Sequence, residues 1–278
     1  MTFPQIAAFA RLADGSAEQA RSIAGQATKL ARAVHSLAYD EVHDELTIAN
    51  AFAQAILTFR GGADGEEAPI RIIQGPHTTL ESPEFGVTVD PVNDEIYVLE
   101  HDFISVFSRT ASGDVAPVRV LRGPNTHLEN PYGYIGLRGV GVDPIHNVLV
   151  VSGYYKDAGH VLIFDRTASG DTKPRGVIAG PKSGVNGASY TMRVYPPKGW
   201  ILLPTSEGIG IWSVNDSGDI PPLYLLGSTR RAGPNLRGGG DEGGGNGMGG
   251  HFTLNPKAKE LYTFSDNAVS AYSFPEIF

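Results

Sequence analysis

Hydrophobic positions fall in short runs with partial two-residue alternation, and each run stops at a polar turn. An apolar strand, a turn and a second apolar strand recur as VHSLAYDEVHDELTIAN, FGVTVDPVNDEIYVLEH, RGVGVDPIHNVLVVSG, TMRVYPPKGWILLPTS and HFTLNPKAKELYTFSD. Between them stands another recurring hairpin. It is an apolar run ending in an aromatic (IAAFAR, AILTFR, ISVFSR, VLIFDR, IGIWSV), then a DG or SGD step, then a further apolar run. The Gly of that step tolerates the positive φ that a tight turn needs. The flanking Ile, Val, Phe and Leu favour paired strands. Two copies are nearly identical: TASGDVAPVRVLRGP from residue 110, and TASGDTKPRGVIAGP fifty-seven residues later. Helical periodicity is weak. Residues 16–33 have the most helical composition, but Gly25 interrupts them and the repeat places RSIAG in a strand.

The markers Asp40, Asp90, Asp143, Tyr195 and Asn255 lie 50, 53, 52 and 60 residues apart. A period near fifty with about four short strands per unit predicts an all-β chain folded as a β-propeller. Five copies imply five blades of four antiparallel strands, A to D, in one domain spanning 1–278. The C-terminal piece, 251–274, supplies A, B and C strands, and the N-terminal piece, 5–25, supplies a C-like strand and a D strand. The two ends therefore complete one blade together, which removes an exposed edge. The aromatic strand occurs six times, since IAAFAR and AVSAYSF both qualify, so a six-bladed ring is the alternative.

The 278 residues include 35 Gly and 19 Pro, as a turn-dense β protein requires, and no Cys, which excludes disulfides, thiolate catalysis and Cys-ligated metals. A formal net charge of −8 lacks the basic footprint of a nucleic-acid binder. No apolar stretch is long enough to span a membrane as a helix. The N-terminus as written has no basic segment ahead of an apolar one, so the chain reads as cytoplasmic, or as a mature protein whose signal was removed.

The stretch LESPEFGVTVDPVNDEIYVL, and more loosely LRGVGVDPIHNVLVV, resembles bacterial NHL-type propeller repeats. The hairpin SRTASGD is similar to one in NHL-like repeat proteins. The resemblance covers nearly the whole chain and implies the propeller fold. That fold hosts lactonases, lyases, synthases and plain binding modules, so it does not decide the function. In lactonase-like relatives the first A-strand position carries metal ligands or polar ligand contacts. The Asn, Asp and Glu residues those enzymes use are not reproduced here.

Five residues before each marker the blades carry His35, Phe85, Arg138, Tyr190 and Gly250, and one residue later Ser36, Gly86, Gly139, Thr191 and His251. In a propeller these positions open onto the central-channel mouth, joined there by the loops between B and C strands. Those loops hold Asn50, Glu100-His101-Asp102, Tyr154-Tyr155-Lys156, Glu207 and Asp266. Histidines among carboxylates suit acid–base chemistry near neutrality. His35 and His251 are the candidate bases, Arg138 the group that orients an anion, and Tyr190 a hydrogen-bond donor. Glu100, His101, Asp102, Tyr154, Tyr155 and Glu207 are the candidate ligand contacts. A divalent metal would fall to His35, His251 and Glu84. Strand alternation would place Glu100 and Asp102 on one side; as a loop, the triplet would instead be solvated. His43 and His146 sit in A–B turns and read as surface groups, and His160 could reach either surface.

The Gly-rich loop 231–250 is the least repeat-like part, with nine Gly in residues 237–250. A strand rather than a helix follows it, which argues against a phosphate-binding loop. It reads either as a lid bringing Arg237, Asp241 or Glu242 to a ligand, or as a tolerated insertion. The blades are alike in their hairpins and unlike at the mouth, which favours a small-molecule ligand over a macromolecular partner. The expected function is a small-molecule-binding propeller, with lactonase, lyase or cyclase activity as its catalytic form. The alternative is a protein- or glycan-binding module, with Tyr132, Tyr134, Tyr154 and Tyr155 as its aromatic face.

Overall fold

A computed structural model describes residues 4–32, 34–84, 86–129, 136–155, 158–185, 191–227, 251–265 and 268–278, and among them the chain is strand and turn with only short 3-10 segments. It divides into two compact units, residues 1–121 and 122–278. The first begins with a two-stranded ribbon, β1 (Gln5–Ala8) and β2 (Arg21–Ala24). Its first blade runs in order through β3 (Ser36–Asp40), β4 (Glu45–Asn50), β5 (Ala55–Arg60) and β6 (Arg71–Gln74). Its second blade has β7 (Gly86–Asp90), β8 (Glu95–Leu99), β9 (Ile104–Ser108) and β10 (Arg119–Leu121).

The second unit repeats the plan. The third blade is β11 (Leu137–Asp143), β12 (Val148–Tyr155), β13 (Ala158–Asp165) and β14 (Gly176–Ala179). The fourth is β15 (Arg193–Tyr195), β16 (Trp200–Thr205), β17 (Gly208–Ser213) and β18 (Tyr224–Leu226). The fifth sheet has three strands, β19 (His251–Asn255), β20 (Glu260–Ser265) and β21 (Ala268–Ser273). The chain is thus all-β, a five-bladed propeller, as the period implied. Both candidates for the doubled aromatic strand form, one as β1 and one as β21. The described residues of the 16–33 stretch form no α-helix: they hold β2 and a 3-10 turn at Gln26–Thr28.

The markers work locally. Asp40, Asp90 and Asp143 each accept the N–H groups two and three residues on, and Asn255 accepts that of Ala258. A short polar side chain that satisfies the turn's own backbone fixes the A–B hairpin. Asp44, Asp94, Asn147 and Lys259 then take left-handed conformations with φ of 53–57°. His43 and His146 turn their rings onto Asp40 and Asp143, at 2.7 Å in each case, so they belong to the turns.

The nearly identical fifteen-residue segments join neighbouring blades. The Asp of each SGD step reaches back to the turn that follows the preceding blade's last strand. Asp114 Oδ1 accepts the His77 N–H at 2.7 Å, Asp171 that of Asn125 at 2.7 Å, and Asp219 those of Lys182 and Ser183. Glu66 does the same for Ala27, after β2, so β2 stands in the D-strand position. The turn must begin with Gly. Gly123 has φ 139°, and a Cβ there would lie 2.6 Å from Asp171 Cγ.

Apolar clusters cement the same joints. Ile56 and Ile73 of the first blade pack with Val87, Ile96 and Phe107 of the second. Val161 and Ile178 of the third pack with Ile201, Leu203 and Trp212 of the fourth. The repeated aromatics Phe59, Phe107, Phe164 and Trp212 are fully buried, as packing residues should be, whereas Tyr272 is 37% exposed. The repeated arginines pair within or beside their own blade: Arg60 with Glu67, Arg109 with Asp94 and Glu45, and Arg166 with Asn147.

Candidate ligand site

In the first unit, His35 lies just before β3. Its Nε2 is 3.9 Å from Glu84 Oε1, with 38% and 13% of the two side chains exposed. Glu84 ends a loop that another acid holds in place. Glu100 follows β8 and is wholly buried, and its Oε2 accepts the N–H groups of Ser82 at 2.7 Å and Glu81 at 3.3 Å. Asn50 does the same job one blade earlier, accepting from Ala31 and donating to the Lys29 carbonyl. Glu100 therefore caps a loop through one of its two carboxylate oxygens.

The cap is imperfect. Burial pushes the Glu100 carboxyl up to about 7, with Glu81 and Asp102 adding to the rise against the two backbone N–H groups. Its Oε1 has no hydrogen-bond partner among the described residues. Glu100, His101 and Asp102 do not continue the strand. They form a turn closed by Glu100 N–H to the Phe103 carbonyl at 2.9 Å, so strand alternation does not apply. His101 and Asp102 are half-buried.

In the second unit, Arg138 is buried on β11, at an irregularity in its pairing with β12. The first A-strand positions of the fourth and fifth blades meet directly: Thr191 Oγ1 and His251 Nδ1 are 2.8 Å apart. Thr191 is buried and His251 exposed. Two residues further along each strand a second pair forms, as Arg193 Nε donates to Thr253 Oγ1 at 3.3 Å. Arg193 was not singled out from the sequence, although its repeat position carried the signal. Two residues before the marker, the other blades have Ala38, Thr88, Gly141 and Thr253.

The other candidates make local backbone contacts. Tyr154 is half-buried, with its N–H on the Gly136 carbonyl, and Tyr155 pairs with Ala158 at the hairpin end. Glu207 is exposed in the β16–β17 turn, its N–H on Thr205 Oγ1. His160 reaches no surface: it is buried on β13, and desolvation pushes it down to about 4, with His127 contributing, so it is neutral at physiological pH. Tyr190, the 231–250 loop, Tyr132 and Tyr134 lie outside the described residues. Among the described residues no three His, Asp or Glu side chains cluster as metal ligands. A zinc site takes three or more protein ligands. An apolar groove of about 680 Å³ lies elsewhere, between the ribbon and the first blade, lined by Ile6, Leu37, Tyr39 and Leu46.

No family model matches the chain, and no curated protein matches it in sequence. Solved structures do resemble it. One is a functionally unknown protein from Desulfotomaculum acetoxidans, at 11% identity over 94% of this chain and 70% of that one, TM-score 0.54. Another is a provisionally assigned 6-phosphogluconolactonase from Bacteroides uniformis, at 14% identity over 93% and 70%, TM-score 0.52. A third is the β-propeller domain of Cps50 (Swd1) from Myceliophteria thermophila, at 10% identity over 88% and 67%, TM-score 0.53. At these identities the likeness concerns the fold, and the fold is the β-propeller.

Proposed function

We propose that the protein is a small-molecule-binding β-propeller whose ligand sits against the A strands of the fourth and fifth blades. One observation carries this reading: the 2.8 Å pairing of Thr191 with the exposed His251. It brings a polar, titratable group to an open surface and holds it by a buried hydroxyl. With its Nδ1–H given to Thr191 Oγ1, the imidazole presents a lone pair at Nε2 and can act as a general base. Arg138 is the further cation on the third blade's A strand, and Tyr190 the donor next to Thr191 in sequence. In its catalytic form, of the lactonase, lyase or cyclase type, His251 takes a proton from water or from the substrate. His35 and Glu84 form a second acid–base pair, in the first unit.

The test is a series of thermal melts against small polar metabolites and divalent ions. A stabilising compound should lose its effect in His251→Ala, while His43→Ala, in an A–B turn, keeps it. A shift that survives His251→Ala contradicts the site. The other reading, a protein- or glycan-binding module, draws on the exposed run Leu223, Tyr224 and Leu225 at β18. Stabilisation by a macromolecule alone, lost on Tyr224→Ser, would favour it.

A further inference from the structure

Arg193 carries a charge that the described protein does not balance. Its Nε donates to Thr253 Oγ1 at 3.3 Å and its Nη1 to the Met192 carbonyl at 2.9 Å. A guanidinium has five N–H groups, so three remain without an acceptor among the described residues. Both acceptors are neutral. Five other arginines, Arg60, Arg71, Arg109, Arg119 and Arg175, each meet a carboxylate.

The setting is crowded but not sealed. Arg193 is half-buried, and desolvation alone lowers its pKa, with no charged group offsetting it. A guanidinium in such a place is destabilised until an oxyanion meets its fork of donors. The neighbouring groups suit the same ligand. Thr191 and His251 form one side-chain rung and Arg193 and Thr253 the next, each joining residues sixty apart in the chain. His251 and Thr253 are two apart on β19 and so share a face. The hydroxyls of Thr191 and Thr253 are donors that can complete the shell of an oxyanion.

We propose that Arg193, with Thr253, His251 and Thr191, forms an oxyanion-binding site that takes the carboxylate or phosphate group of a small organic anion. The inference rests on the ligand-site reading of these two strands and adds the chemical class of the ligand. Arg193 anchors the charge, and His251 lies one rung away, where it can act on the rest of the molecule.

Thermal denaturation at low chloride and constant ionic strength tests this with acetate, citrate, inorganic phosphate and glycerol 3-phosphate, and with glycerol as the neutral control. At least one oxyanion should raise the wild-type melting temperature saturably, by roughly 5–10 °C at about 100 times its dissociation constant. The responding arm tells carboxylate from phosphate. Arg193→Gln should abolish the shift. In anion-free buffer the variant should melt at or above the wild type, because an unbalanced charge has been removed, and this separates loss of the site from misfolding. The proposal is overturned if no oxyanion acts, if Arg193→Gln responds as wild type, or if the variant is less stable without anion. Stabilisation by neutral compounds alone, lost in His251→Ala, would leave the ligand site standing and remove the oxyanion.

Discussion

Replacing Glu100 by Gln should stabilise the protein in mild alkali. The wild-type carboxyl is wholly buried, caps the N–H groups of Glu81 and Ser82 through Oε2, and leaves Oε1 without a partner among the described residues. Burial raises it from 4.5 to about 7. The folded state therefore holds a proton that the unfolded chain releases. This contribution is complete below pH 4.5 and is lost as the pH climbs through about 7, a total of about 3 kcal/mol. Gln keeps the shape and the acceptor and cannot ionise. Asn50 shows that an amide suits this position, since it both accepts from and donates to the loop. Part of the gain is offset because a neutral oxygen accepts N–H groups less strongly than a carboxylate. The expected net gain at pH 8 is about 1–2 kcal/mol, or roughly 2–8 °C in melting temperature. Urea and thermal unfolding of both proteins from pH 5 to 9 measure it. The stability difference should grow from pH 5 to 8 in favour of the variant. A difference that does not change with pH, or a variant weaker than wild type at pH 8, refutes the reasoning.

Other outcomes follow from the joints between blades. Gly123→Ala, at φ 139° and with a Cβ set against Asp171, should cost about 1–3 kcal/mol or more in a melt, whereas Gly113→Ala, at φ 84° with open space, should cost about 1 kcal/mol. Phe107→Ala removes a fully buried ring from the joint of the first two blades and should cost about 3–5 kcal/mol by chemical denaturation, while Tyr272→Ala, partly exposed on β21, should cost far less.

The parts of this fold governed by local chemistry could be read from the chain. Asp40, Asp90 and Asp143 mark hairpins because a carboxylate two or three residues from an N–H closes its own turn. The Gly-bearing hairpins are likewise local. The partnership of Gly123 with Asp171 is hidden, because it links segments nearly fifty residues apart, and repetition alone does not say that two halves of a repeat touch. The capping role of Glu100 is hidden for a related reason. Next to His101 and Asp102 it resembles part of a functional triplet, and only its equivalence to Asn50 shows that it is a loop cap. Arg193 was overlooked in an apolar strand, yet comparison of the blades marks it as the one charged residue at its position. Tyr272 has the packing position of Phe107 without its burial, which the sequence pattern does not reveal.

The central claim, a small-molecule site at His251, is tested most directly by following the histidine imidazole resonances by NMR while stabilising compounds are titrated. The account predicts that the His251 signals move saturably, with the midpoint seen in the melting shift, while those of His43 and His146, bound to their turn aspartates, stay in place. A ligand that stabilises the protein and leaves the His251 signals unmoved, or moves all three histidines alike, would contradict it.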